Sequence, residues 1–347
     1  MSIMRTVALG DKRVGPGQPV YVIAEIGGNF IRAEDGFRLI DLAIAAGVDA
    51  VKVQTFRAET LTTRSAIFDM ENTGVVSQWE LFRKFELSDA THREVFDYAR
   101  SKGMFIFSTP THSTDVDMLE GLGVLAHKIG SDDAVNIPLL KHVARTGKPV
   151  LLSTGMCTMS EVRRSVDAIL EEGNDQLILF HCTTNYPTHA ESVNLGAMVA
   201  MQREFRLPVG YSDHTLGTDV SYAAAVLGAT ILEFHFTHDK NAEGPDHMLS
   251  KDPAETAELV RKVRVLPTIL GDGVKRPMAT EMNTRRNNRK SLVLTADVKA
   301  GEKINPANMT IMRPGYGIPC EHYYSILGKT AGRDLKADDV LNWEDIF

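Results

Sequence analysis

The sequence predicts an α/β chain: a (β/α)8, or TIM, barrel followed by a small, mostly β domain. Three observations predict it. Eight short apolar runs each end abruptly in polar residues, at 21–25, 50–54, 104–108, 126–129, 150–153, 177–181, 209–212 and 231–234. Amphipathic stretches separate them. The composition then changes near residue 275. Several runs are rich in Val and Ile and short enough to be strands buried on both faces. Eight such repeats in some 270 residues match the typical size of this barrel, about 250 residues. A doubly wound open sheet is the competing architecture. It ranks lower because no G-x-G-x-x-G follows the first run.

The elements follow in order. Segment 33–46 places Phe37, Ile40, Leu42 and Ile44 among good helix formers, and Gly47 is a plausible stop. The second connection, 56–102, is long and includes the helical stretch 89–101. Long loops in compact domains often cover a site, so this one reads as a cover or as a surface insertion. Segment 160–172 starts with Ser160, carries Val162, Val166 and Ile169 at helical spacing, and is followed by Gly173. Segment 253–270 carries Leu259, Val263 and Leu266. The barrel is expected over 1–274. A polar linker follows over 275–290, with Arg285, Arg286, Arg289 and Lys290. Extended, its residues could span on the order of 50 Å. Segment 291–347 has short alternating runs broken by Gly and Pro, and reads as a small β domain near the lower size limit for independent stability.

Composition excludes several classes. Of 347 residues, 43% are hydrophobic and 24% charged, ordinary for a globular protein. The formal charge of −7 disfavours nonspecific nucleic-acid binding, which needs surplus cations. Cys157, Cys182 and Cys320 are odd in number and form no C-x-x-C pair, so a reducing cytoplasm is the expected setting. The first residues hold no apolar stretch of signal-peptide length. The apolar stretch 222–236 is too short for a membrane span and contains Glu233.

In such a barrel the active site forms at the C-terminal strand ends. Here every one of those ends is polar, and buried polar groups cost free energy unless paired. Lys52, Lys128, Thr109, Ser131, Ser153 and Ser212 are cations and hydroxyl donors. Converging at one mouth, they suit a phosphate plus a carboxylate. His214 and His235 lie on adjacent strand ends, within reach of one divalent ion, and leave positions open for water or substrate.

The chain resembles the sialic acid synthases, which condense phosphoenolpyruvate with an N-acetylated amino-hexose. The resemblance rests on Ala24-Glu25-Ile26-Gly27-Gly28-Asn29, Lys52-Val53-Gln54-Thr55, Phe107-Ser108-Thr109-Pro110, Lys128-Ile129-Gly130-Ser131 and Leu152-Ser153-Thr154-Gly155-Met156. It continues through His181-Cys182-Thr183-Thr184-Asn185-Tyr186-Pro187-Thr188, Gly210-Tyr211-Ser212-Asp213-His214-Thr215, Leu232-Glu233-Phe234-His235-Phe236-Thr237 and Gly244-Pro245-Asp246-His247. The tail, with Asp297-Val298-Lys299-Ala300-Gly301-Glu302 and Met312-Arg313-Pro314-Gly315, looks like the antifreeze-like (SAF) domain of those enzymes.

The resemblance implies roles. Lys52, Thr109, Lys128, Ser131, Ser153 and Ser212 match positions that hold phosphoenolpyruvate. His214 and His235 match ligands of a divalent metal ion, manganese or magnesium. Gln54, Tyr186 and Asp246 match positions near the sugar, and Arg313 matches an arginine that reaches its N-acetyl group. Glu25 and Asp133 match acidic residues that steer water and protons. A domain-swapped homodimer is implied, in which Arg313 completes the partner's site. The implied reaction gives a nine-carbon sialic acid and phosphate, with N-acetylmannosamine the expected sugar. The alternatives are a legionaminic or pseudaminic acid synthase using a diacetamido-hexose, and a non-catalytic carbohydrate- or ice-binding protein.

Four positions depart from the family pattern. Phe30 stands where His is usual, Asp132-Asp133 where Gly-Glu is frequent, and Thr184 where some members have Asn.

Overall fold

The structure, a computed structural model, describes residues 5–347. Eight parallel strands form: β1 (Tyr21–Glu25), β2 (Ala50–Thr55), β3 (Phe105–Pro110), β4 (His127–Ile129), β5 (Val150–Ser153), β6 (Leu177–His181), β7 (Val209–Asp213) and β8 (Ile231–His235). They close into a barrel in sequence order. β8 returns beside β1, with Ile231 opposite Tyr21 and His235 opposite Glu25. The expected barrel is the one observed.

Helices α1 (Ala33–Ala46), α2 (Asp89–Ser101), α3 (Ser113–Gly121), α4 (Ile137–Ala144), α5 (Met159–Glu171), α6 (Leu195–Phe205), α7 (Asp219–Val226) and α8 (Pro253–Leu270) follow the strands. Gly47 ends α1 at φ 82°, the left-handed cap that glycine adopts without a Cβ penalty. Helix α5 starts earlier than Ser160 suggests. Thr158 caps it: its hydroxyl accepts from the Glu161 N–H, and the Glu161 carboxylate accepts from the Thr158 N–H at 2.7 Å. That reciprocal box satisfies two otherwise orphaned donors and leaves Ser160 in the first turn.

Strand alternation sorts the side chains. Val22, Ala24, Val51, Val53, Leu152, Leu179 and Phe234 point outward against the helices. Tyr21, Ile23, Ala50, Phe107, Leu151, Ile178, Phe180 and Ile231 share a separate apolar cluster inside the barrel. A hairpin that the sequence reading did not foresee, Val7–Leu9 paired with Lys12–Val14, adds Val7, Leu9 and Val14 to that inner cluster. Asp49 ties the hairpin down. Its carboxylate accepts from Lys12 at 2.7 Å, Arg264 at 2.6 Å and the Val22 N–H at 2.7 Å. The hairpin thus floors the barrel, and the next inward position on each strand faces the opposite end.

The chain divides into two compact units, one ending at Leu270 and the other spanning Gly271–Phe347. The polar segment 275–290 holds a 3₁₀ turn at Ala279–Glu281 and a helix at Met282–Asn288. A helix rises only about 1.5 Å per residue, so the reach estimated for an extended strand does not apply. The second unit pairs Ser291–Leu294 with Met309–Met312 and buries Leu292, Leu294, Ile304, Ile318 and Leu341 in its own core. Among the described residues, no helix is long and apolar enough to cross a membrane.

Candidate active site

The inward positions above the apolar cluster line a cavity of about 570 Å³ at the C-terminal ends of the strands. Its floor is a ring of buried charges. Lys52 contacts the Glu25 carboxylate and donates to Thr109 Oγ1 at 2.8 Å. Lys128 Nζ lies 3.0 Å from Glu233 Oε1, with Lys52 Nζ 3.8 Å from the same oxygen. Lys128 also stands 4.9 Å from the centre of the Phe180 ring. Two ammonium groups and two carboxylates therefore balance one another. Burial pulls the Lys52 ammonium down to about 7, against the upward pull of Glu233. Glu233 is held below the usual carboxylate range: burial alone would raise it, but Lys128 and Lys52 outweigh that. Such a ring is costly to desolvate, and removing one member leaves an uncompensated charge. Ser153 and Ser212 are buried beside it, with Ser212 Oγ 3.5 Å from Glu233 Oε1.

The histidines sit at the ends of β7 and β8, their ring centres 5.6 Å apart. Burial pushes both down in pKa, His235 strongly, so both imidazoles are neutral near pH 7. His214 Nδ1 is 2.8 Å from the Thr183 carbonyl. A carbonyl only accepts, so Nδ1 carries the proton and Nε2 the lone pair. His235 Nδ1 is buried without a hydrogen bond and lies 3.4 Å from Asp246 Oδ2. Two neutral imidazoles, one fixed by a backbone carbonyl and one with an orphaned nitrogen, fit a divalent cation. Among the described residues no group of three His, Cys, Asp or Glu is arranged to hold one. Water and substrate would complete the coordination.

Tyr186 packs against His214 at 4.3 Å between ring centres, and Gln54 and Asp246 share the cavity wall. Burial raises the Asp246 carboxyl to about 7, against the downward pull of Lys52. Gly28, at φ 77°, makes room for it: a Cβ there would fall 2.7 Å from Asp246 Oδ2.

One expected site residue lies elsewhere in the barrel unit. Asp133 does not line the cavity. Its Oδ1 accepts from the Asn136 side chain at 2.8 Å, beside the N-cap of α4, and its neighbour Asp132 lines the cavity instead. Arg313 is exposed in the second unit, just after the strand Met309–Met312. Ser131 is in the wall, its hydroxyl accepting from the Gly155 N–H at 3.0 Å and lying 3.2 Å from Cys182 Sγ.

The long second connection roofs the cavity. Its hairpin, Ile67–Met70 with Gly74–Ser77, and its helix, Gln78–Phe85, bring Phe68, Met70, Phe82 and Phe85 to the wall beside Phe56 and Leu61. Asn72 pins it: its N–H donates to the Tyr186 carbonyl at 3.2 Å and its side chain to the Pro245 carbonyl at 2.9 Å. Of the two readings of this segment, cover and plain insertion, the cover is observed. Sequence reasoning gave no role to these apolar residues, nor to Glu233 and Asp132. Glu233 was detectable, since it precedes His235 by two and so shares its inward face.

A closed parallel barrel with paired lysines and histidines at its mouth, followed by a small β-rich domain, is thus the class of molecule. The chain belongs to the NeuB family, whose model matches residues 39–275, and carries a SAF domain over 289–346. It is 39% identical over 349 residues to N,N'-diacetyllegionaminic acid synthase of Legionella pneumophila, covering 97% of each chain. It is 33% identical over 333 residues to pseudaminic acid synthase of Campylobacter jejuni, covering 94% of this chain and 96% of the other. The crystal structure of an N-acetylneuraminic acid (sialic acid) synthetase from Leptospira borgpetersenii matches with a TM-score of 0.72 at 30% identity, over 81% of this chain and 95% of that one.

Proposed function

We propose that the protein condenses phosphoenolpyruvate with an acetamido-hexose and water, giving a nine-carbon keto-acid sugar and phosphate. The observation that carries this reading is the buried ring of Lys52, Lys128, Glu25 and Glu233 beside a pair of neutral histidines. An incoming phosphate and carboxylate would draw the ammonium protons away from the two glutamates. Thr109, Ser131, Ser153 and Ser212 would supply further donors. Holding both reactants in line can lower the barrier by about 7–11 kcal/mol. His214 and His235 would hold a divalent cation, manganese or magnesium, which when bound supplies Lewis-acid polarisation of the open sugar's aldehyde. Gln54, Tyr186 and Asp246 would orient the sugar hydroxyls. Glu25, once released from Lys52, would take up or return a proton.

The expected sugar, N-acetylmannosamine, has a rival that the similarities support equally. The apolar roof of Phe68, Met70, Phe82 and Phe85 would take the methyl of a second acetamido group, as in a diacetamido-hexose. The test is phosphate release from phosphoenolpyruvate across a panel of both sugars, with and without a chelator. We further propose that the chain acts as a domain-swapped homodimer in which Arg313 completes the partner's site. Arg313→Ala and Lys52→Met chains, each nearly inactive, should regain activity when co-refolded. Heterodimers that form and stay inactive would overturn the swap.

A further inference from the structure

We propose that Asp132, rather than Asp133, is the carboxylate that the β4–α4 loop contributes to the reaction; this rests on the function proposed above. The alternation that points Lys128 into the barrel makes Gly130 the next inward position on the same run. Gly130 has no side chain, and the Asp132 carboxylate folds back into the vacated volume. A Cβ built on Gly130 would collide with Asp132 Oδ1, with Thr109 Cγ2 3.7 Å away. Thr109 is the group that accepts from Lys52. Asp132 thus stands over the mouth, one inward position above Lys128 and beside the lysine ring.

The two aspartates have opposite surroundings. Asp132 is exposed to the cavity, and its side chain makes no hydrogen bond or ion pair among the described residues. Asp133 is half-buried, outside the cavity wall, and engaged by Asn136, whose own Oδ1 accepts from the Leu139 N–H at 3.3 Å as the cap of α4. Asp133 therefore stabilises the start of α4, while Asp132 is the acceptor available to substrate.

The step that needs an acceptor is the addition of water. After the new carbon–carbon bond forms, carbon 2 of the former phosphoenolpyruvate is electron-poor. Water forms a bond to it and must lose a proton, which the Asp132 carboxylate takes. As the carbon–oxygen bond to phosphate then breaks, that proton goes to the departing phosphate, and the proton still on the new carbon-2 hydroxyl is lost as the ketone forms, balancing the one that the former aldehyde oxygen takes up on becoming a hydroxyl. Water is the only added reactant, and the carboxylate ends as it began.

The experiment compares Asp132→Asn and Asp132→Ser with Asp133→Asn in the full chain, each checked for a parent-like melting curve. Two readouts are taken: turnover by phosphate release, and phosphoenolpyruvate binding alone by calorimetry. Asp132→Asn should lower kcat by about 100-fold or more, the range of lost acid–base catalysis. It should also tighten phosphoenolpyruvate binding by about three- to tenfold, because a nearby negative charge is removed. Asp132→Ser should do the same. Asp133→Asn should change both by less than about threefold, as expected of a group outside the cavity. Parent-like turnover in the Asp132 variants, or an equal loss in Asp133→Asn, would overturn the proposal while leaving the function standing. A parent protein that neither binds phosphoenolpyruvate nor releases phosphate would overturn both.

Discussion

The floor and the mouth of the barrel are built from the same strands in the same inward register, yet they differ in kind. On β1 the inward residues run Tyr21, Ile23, Glu25; on β8, Ile231, Glu233, His235; on β3, Phe107 and then Thr109. Two residues along a strand is one step of some 6.6 Å. Within that step the barrel passes from a dry cluster plugged by Val7, Leu9 and Val14 to a ring of buried charges. The floor holds the strands in register without chemistry. The mouth carries the poorly solvated charges, which pair with one another. Stability and function are thus separable along a single strand.

That separation can be broken at either end. The largest effect is expected at the mouth. Lys52→Met leaves Glu25 and Glu233 short of a partner, and breaking a buried ion pair costs about 3–5 kcal/mol. Expressed on the reaction, kcat/KM for phosphoenolpyruvate should fall by about 10²–10⁴. Steady-state kinetics would show it, and unchanged kinetics would remove Lys52 from the site. At the floor, Phe107→Ala should cost about 3–5 kcal/mol of stability in denaturant titration. Turnover per folded molecule should remain near that of the parent. A floor variant that stays stable but loses turnover would show that the two ends are coupled.

The smallest effect is a pH dependence that sharpens the comparison. The Lys52 amine, pulled down to about 7 by burial, is cationic below that pH and neutral above it. On the proposed function, its ammonium would hold the anion. Phosphoenolpyruvate affinity should therefore weaken as pH rises past 7, by at most about tenfold per unit. Calorimetry across pH 6–9 would measure this. Affinity that rises over the same range would contradict the assignment.

The floor and the mouth were not equally legible in the sequence. The eight strands were, because each is a compact apolar run ending in polar residues. The mouth followed from the rule that such a barrel's active site forms at the C-terminal strand ends, where Lys52, Lys128, His214 and His235 stand. The floor hairpin was not legible: Val7, Leu9 and Val14 are too few to show a period and gain meaning only when packed under Tyr21 and Phe107. The roof was missed for a related reason, since Phe68 and Phe82 pack across a long loop that no local pattern describes. Asp132 and Asp133 could not be told apart, because adjacent residues in a loop have no fixed faces. Which of them enters the cavity is decided by the empty volume at Gly130 and by the hold of Asn136 on Asp133.

The central claim is that the charged mouth joins phosphoenolpyruvate to an acetamido sugar. The most direct measurement is phosphate release from phosphoenolpyruvate with N-acetylmannosamine and with diacetamido-hexoses, in the presence of manganese or magnesium and again after chelation. The account predicts stoichiometric phosphate release with at least one of these sugars, lost on chelation and restored by the added ion. No release with any sugar in the panel, or release that is indifferent to the sugar, would contradict it.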